Sequence, residues 1–472
     1  MPGIVKIIFT TNSHAMKRLF LFFVLSILLI YTTGHAQSLY FPSVTGDAWD
    51  TISPGQLHWQ KSNIDSLYSY LASANTKAFI LLKDGKIVLE KYFGTFTKDS
   101  VWYWASAGKT LTGFAIGLAQ QEGKLSVHDA TDKYLGVGWT SLTPEKEHAI
   151  TIWNQLTMTT GLDDMAGDPD CTSPGCLVYK ADAGTRWAYH TAPYTLLDSV
   201  LLKATGQTVN TFIYQRLHSL TGFSGLFVKS GYNNLYVSTA RQMARFGLLL
   251  LNKGNWDGHI ILTDSAYFRQ MTHPSQSLNN SYGYLTWLNG QSSYMIPQTQ
   301  FVFPGFLSPA APADMFAALG KNGQFINVVP SQNLVWIRMG DAPDNSLVPF
   351  LLNDKIWQRL NLVMNPTAGI EPSTIPGNRP GTFNLSAYPN PFNPSTSIHF
   401  NVSGPAQEVH LVLYDVSGRQ CRSLLCGERI TGAYTAVWDG KDDAGSLLPS
   451  GFYICRLTAG PAAEVVKLLL LK

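Results

Sequence analysis

Ser106 and Lys109 stand three residues apart in YWASAGKTLTG, residues 103–113, the only Ser-x-x-Lys in this 472-residue chain. Positions i and i+3 of a helix are neighbours on one face, so the lysine amine reaches the serine hydroxyl. Such a pair is a nucleophile and its base, provided the lysine loses its proton near neutral pH. A free lysine titrates near 10.4, so burial must remove roughly 4 kcal/mol of its preference for the proton. Trp102 and Trp104 are a source of that desolvation, and the small Ala105, Ala107 and Gly108 let other segments pack close. The same stretch admits a second chemistry, with Gly108-Lys109-Thr110 as the tail of a phosphate-binding loop. That loop needs a glycine five residues before its second one so that the backbone wraps the phosphates. Tyr103 occupies the position, and the phosphate reading fails.

The elements that must hold this pair are legible around it. Leu111, Phe114, Ala115 and Leu118 follow the spacing of a buried helix face, with Gly123 as its stop, so a helix is expected from Ser106 onward. Upstream, a helix is expected over Ile64–Ala72. Ala78–Leu82 and Ile87–Tyr92 then flank Lys83-Asp84-Gly85-Lys86, a strong hairpin signal. A long, mainly helical region reaches to about residue 270 and includes ARQMARFGLLLLNKG. Strands return at Phe325–Val329 and Leu334–Met339, and a last helix covers Leu351–Leu360. Strands at both ends with helices between them predict one α/β unit whose sheet is closed by distant parts of the chain.

Composition bounds the rest. The charged fraction of 14%, hydrophobic fraction of 45% and net charge of +3 describe a folded, near-neutral protein of two or three units without electrostatic support for a nucleic-acid partner. Lys17-Arg18 precedes LFLFFVLSILLIY, which is shorter than the roughly 20 apolar residues of a membrane span. With small residues at Gly34 and Ala36, residues 1–36 read as a secretory signal peptide; an uncleaved anchor is the alternative, and Met16 is an alternative start. Residues 37–364 are then the main domain, residues 365–384 a Pro/Gly/Ser/Thr-rich linker, and residues 385–472 a small β-sandwich of alternating strands. The expected location is outside the cytoplasm, where Cys171 and Cys176, flanking the turn TSPG, are expected to form a disulfide. The pairing of Cys421, Cys426 and Cys455 stays open. No Cys/His spacing resembles a zinc site, and DGKDDAG at 439–445 reads as a turn rather than a calcium loop, so neither metal nor cofactor is expected.

Four ordered segments carry a resemblance: WASAGKTLTGFAIGLAQQEGKLSVHDATDKYL, ITIWNQLTMTTGL, VSTARQMARFGLLLLNKGNWDG and GKNGQFINVVPSQNLVWIRMG. Over residues 50–362 the chain resembles the serine β-lactamase-like family of class C β-lactamases, D-Ala-D-Ala carboxypeptidases, family VIII esterases and aminohexanoate-oligomer hydrolases. The resemblance implies a β-lactamase/transpeptidase-like antiparallel sheet flanked by helices, with a mainly helical insert. It also implies that Tyr189 fills the tyrosine of the family's Tyr-x-Asn motif and shares the proton with Lys109. His190 follows, and Thr191 stands where Asn is usual.

The family's Lys-Thr-Gly strand is matched by AALGKNGQF with Gly320 as the glycine, which leaves Ala318 and Leu319 where Lys and Thr would be. Lys321-Asn322-Gly323 is the alternative alignment. By the resemblance, the oxyanion hole is formed by the backbone amides of Ser106 and Lys321, and His190, Thr191, Gly320, Asn322 and Gly323 line the substrate pocket. Loss of the Lys-Thr pair and of the Asn shifts the expected substrate toward an ester or small amide. A D-Ala-D-Ala carboxypeptidase or weak β-lactamase, and a catalytically inactive envelope-binding protein, are the alternatives. YPNPFNPSTSIHFNV, WDGKDDAGSLLPSGFYICRL and the terminal KLLLLK resemble type IX secretion sorting domains, which implies that machinery as a partner.

Overall fold

The Asp84-Gly85 hairpin forms in the computed structural model, which describes residues 39–342, 348–364, 385–390, 392–402, 405–415, 418–460 and 462–471. The proposed signal peptide and linker lie outside the described residues. Strands β1 (Thr76–Lys83) and β2 (Lys86–Tyr92) are joined by Asp84 at φ 51° and Gly85 at φ 82°. Two consecutive left-handed residues make the tight turn whose twist matches the flanking strands. Helix α1 (Lys61–Ser73) precedes the hairpin, as expected.

After the insert come β3 (Trp287–Leu288), β4 (Phe316–Gly320), β5 (Gln324–Val329), β6 (Leu334–Gly340) and helix α4 (Phe350–Met364), with α2 (Gly108–Gln121) and α3 (Ala240–Leu251) between. The six strands form one antiparallel sheet in the order β2-β1-β6-β5-β4-β3. Closure by distant segments is visible in its register, where Ile80 sits opposite Ile337 and Ile337 opposite Ile326. Alternation along a strand sends neighbours to opposite faces. A Cβ on Gly247 of α3 would lie 2.6 Å from Val335, whereas the next residue, Trp336, meets Trp357 of α4 at 5.8 Å between ring centres. Both faces are therefore covered, and β6 is buried along its whole length.

Two expectations need correction. Helix α2 begins at Gly108, and Ser106 lies in a short 3₁₀ turn, Ala105–Ala107, that leads into it. The i and i+3 side chains eclipse in that tighter geometry, which brings Lys109 toward Ser106 even more directly. The helix is also buried on every side from Gly108 to Ala119, so its apolar spacing marks a central helix rather than a surface one. Within the supposedly helical insert, strands Leu226–Ser230 and Asn233–Thr239 pair and take up Val101–Tyr103 as a third strand. Their short, Asn-interrupted runs hid them from the periodicity.

The C-terminal strands are β7 (Ser386–Tyr388), β8 (Thr396–Val402), β9 (Gln407–Asp415), β10 (Gln420–Arg429), β11 (Gly432–Trp438), β12 (Gly451–Ala459) and β13 (Ala462–Leu470). They form a three-stranded sheet, β7-β8-β11, and a four-stranded one, β10-β9-β12-β13. Alternate residues such as Ile398, Phe400, Leu411, Leu413, Trp438 and Leu457 fill the space between them. Ser446 donates its amide to Asp442, and Asp439 accepts from Arg422, so residues 439–445 are a turn. Cys421 and Cys455 are buried free thiols and Cys426 an exposed one. Phe301 and Phe303 of the main domain pack on Ile454, with Tyr414 and Val465 around them.

Candidate active site

Ser106 is held by its neighbours rather than by its own side chain. Trp102 and Tyr103 pair with Ser238 and Val237, the Trp104 amide donates to the Tyr236 carbonyl, and its indole donates to Ser238 Oγ at 2.9 Å. Trp104 is fully buried among the rings of Phe223, Tyr236 and Phe246. The chain then turns through Ala105 at φ 46°, a left-handed conformation that costs a Cβ-bearing residue about 1 kcal/mol or more. That strain presents Ser106 at the mouth of α2.

Lys109 Nζ lies 3.1 Å from Ser106 Oγ. The lysine is 3% exposed, and the rings of Tyr194 and Tyr189 stand 4.2 and 5.3 Å from its nitrogen. Burial lowers its pKa to about 7, against the opposing negative field of Asp170. At neutral pH a large share of the amine is unprotonated and able to accept a proton. Thr110 next to it donates to the Leu285 carbonyl, and the Leu285 amide donates to that of Leu156, so the base is tied to two further segments.

Tyr189 closes the triangle. Burial pushes its phenol strongly upward, against a smaller opposing effect of the Ser106 side chain, so the group is protonated at neutral pH. The ring stacks on Trp287 at 5.5 Å and meets Tyr282 edge-on at 6.2 Å. The preceding amide, Ala188, donates to the Met158 carbonyl, and Gln155 donates to that of Pro193. Residues 150–162 thus act as the bracket for the tyrosine segment. His190 is 4% exposed, its pKa is lowered to about 4 by burial against nearby Asp164, and its Nδ1 has no partner. It is a neutral wall residue. Thr191 opens the following short helix and is half-buried.

The end of β4 meets the nucleophile backbone to backbone. A Cβ on Gly320 would lie 2.6 Å from the Trp104 carbonyl oxygen, 2.8 Å from the Ala107 nitrogen and 3.0 Å from the Ser106 nitrogen. Only glycine permits that approach, which sets the end of β4 against the backbone of Trp104, Ser106 and Ala107. Ala318 and Leu319 are buried and apolar, so the strand end brings no cation there, while Lys321 is exposed.

Gly320 rather than Gly323 abuts the nucleophile, which separates the two alignments. Gly323 lies against a different neighbour, and its Cβ would stand 2.3 Å from Arg338 Nη1. Asn322, at φ 63°, donates to the Tyr103 hydroxyl at 2.7 Å and pins the turn to the strand before Ser106.

Three contributors were not foreseen. Arg338 is wholly buried on β6, and its guanidinium donates to Thr76 Oγ1 and to the carbonyls of Asn322, Gly323, Ala74 and Asp341. All five N–H groups are used, two of them on the turn that follows Gly320. A lone charge inside the apolar run NLVWIRMG is the signal that would have found it. Tyr194, five residues after Tyr189, lies over Lys109. Asp170 adjoins the Cys171–Cys176 disulfide, whose Cα atoms are 5.9 Å apart, and its field reaches both Lys109 and His190. The Ala192 amide donates to the Pro169 carbonyl, which fastens this loop to the helix after Tyr189.

The family described as FlgD Ig-like domain matches residues 392–462. The basal-body rod modification protein FlgD of Salmonella typhimurium is 35% identical over 65 residues, 14% of this chain and 28% of that protein. An uncharacterized protein of Alkalihalophilus pseudofirmus is 26% identical over 309 residues, 57% of this chain and 85% of the relative. Among solved structures, a candidate 6-aminohexanoate-dimer hydrolase from Bacillus anthracis superposes with TM-score 0.51 at 18% identity, covering 70% of this chain and 89% of that one. A penicillin-binding protein homolog from Caulobacter crescentus gives 0.51 at 14% identity, over 66% and 98%. At these identities the two structures bear on the fold alone. The β-lactamase family itself matches residues 72–345, more than half of the chain and all of the Ser106, Tyr189 and Gly320 segments, and the protein belongs to that family.

Proposed function

We propose that this protein is a serine hydrolase that cleaves an ester or small amide through an acyl-enzyme on Ser106. Lys109 Nζ takes the Ser106 proton as Oγ bonds to the substrate carbonyl carbon, and the developing oxyanion is met by the Ser106 and Lys321 amides. The tetrahedral adduct collapses, the bond to the leaving group breaks, and the proton passes to the departing alcohol or amine through Tyr189. Water then attacks the acyl carbon, with the same groups returning the proton to Ser106 Oγ.

The observation that carries this reading is a buried lysine poised near pH 7, 3.1 Å from the serine hydroxyl. Ala318 and Leu319 give a substrate carboxylate no cationic anchor at the strand end, which supports a neutral acyl substrate over a β-lactam. Turnover of p-nitrophenyl acetate and butyrate is expected to exceed that of nitrocefin by a wide margin and to vanish in Ser106→Ala. Undiminished ester turnover in that variant would sink the proposal.

The same reading extends to address. Residues 1–36 act as an export signal, and residues 385–472 as a sorting module engaged by type IX secretion machinery. Deleting residues 385–472 is expected to leave the enzyme in the periplasm; normal release of the shortened chain refutes the sorting role.

A further inference from the structure

Two features of the C-terminal sandwich are unexplained by packing. Cys426 is an exposed free thiol, in contrast to the buried Cys421 and Cys455. Glu408 and Glu428 stand directly opposite one another on β9 and β10. Like charges in that relation repel and destabilise a sheet unless something neutralises them. Two residue pairs further along, His410 stands directly opposite Cys426. Glu408 and His410 are two residues apart on β9 and share a face of the sheet. Glu408 Oε1 is 3.6 Å from His410 Nε2, and the ligand atoms of Glu408, His410 and Cys426 all lie within 4.8 Å of one another.

We propose that Glu408, His410 and Cys426 bind a divalent transition-metal ion of the zinc(II) class. A thiolate, an imidazole and a carboxylate are the ligand types zinc takes. Bond lengths of about 2.0–2.3 Å place tetrahedral ligands ~3.5 Å apart. Closing from 4.8 Å requires only rotation of side chains that are exposed or half-exposed. Binding displaces the Cys426 thiol proton to solvent, and the metal's charge relieves the Glu408–Glu428 repulsion. The fourth position falls to water or to Glu428. A calcium or magnesium ion is disfavoured, because those ions take oxygen ligands and leave a thiol and an imidazole unused. The ligands come from strand register, which is why no Cys/His spacing announces them.

The test uses the full chain, purified without a polyhistidine tag and stripped by chelator. Zinc(II) is expected to bind at one ion per chain and to slow alkylation of Cys426, with cobalt(II) substitution producing a thiolate-to-metal absorption band in the near ultraviolet. Cys426→Ser is expected to abolish the band, and His410→Ala to weaken zinc binding by roughly tenfold or more. A cobalt complex without the thiolate band, or zinc binding unchanged in both variants, overturns the proposal.

Discussion

At the scale of single residues, the proposed function rests on keeping one lysine ready to lose its proton. Burial lowers Lys109 to about 7. The active form is the neutral amine, so kcat/KM for an ester is expected to rise with pH through about 7 and then level. The same lowered pKa makes the folded state more stable as pH rises. Below about pH 7 the folded protein carries a buried charge that the unfolded chain solvates freely, and the penalty, roughly 4 kcal/mol, is fully present. It is relieved as pH climbs toward about 10, where the unfolded lysine also loses its proton. Lys109→Met is therefore expected to abolish turnover and raise the melting temperature at pH 7, with the gain shrinking at pH 10. An unchanged or lower melting temperature at both pH values would contradict this account. The Ser106–Lys109 pair was legible because its spacing is local, whereas Asp170 and Tyr194 were not, since only the folded loops bring them to the lysine.

Secondary-structure elements convert that pair into a site. Helix α2 fixes the lysine, β4 delivers the Gly320–Lys321 peptide, and the bracket of residues 150–162 delivers Tyr189. Gly320→Ala tests the second of these. Its methyl would meet three backbone atoms at 3.0 Å or less, so β4 must retreat from Ser106. Loss of an oxyanion donor typically costs 10²–10³ in kcat, and a fall of about 10²-fold is expected with KM little changed. A variant with wild-type kcat would show that the strand end is not part of the oxyanion hole. The hairpin, the Phe325–Val329 strand and helix α3 were readable from turn chemistry and apolar period. The strands at 226–239 were not, because their short hairpin is completed by Val101–Tyr103, a segment more than a hundred residues away that joins it only in the folded sheet. The role of Arg338 was hidden for the same reason: its five acceptors come from three separated stretches.

Over the whole molecule, the sandwich is in contact with the hydrolase through the segment that walls the site. Phe301 and Phe303 pack on Ile454, and the neighbouring Gln300 donates to the carbonyl of Trp187, whose ring borders Tyr189. The deletion of residues 385–472 would expose both phenylalanines, so the shortened chain is expected to melt at lower temperature than the hydrolase part of the full chain. Equal melting would mean the contact contributes nothing. A strand-rich C-terminal region was legible in alternation, but this junction was not, since Phe301 and Phe303 look like ordinary core residues in sequence. The central claim concerns one atom in this assembly, Ser106 Oγ. Intact-mass analysis with peptide mapping after treatment with a fluorophosphonate tests it most directly. A single adduct on Ser106 that is absent from Lys109→Met is the predicted result, and an unmodified protein, or an adduct on any other residue, would contradict it.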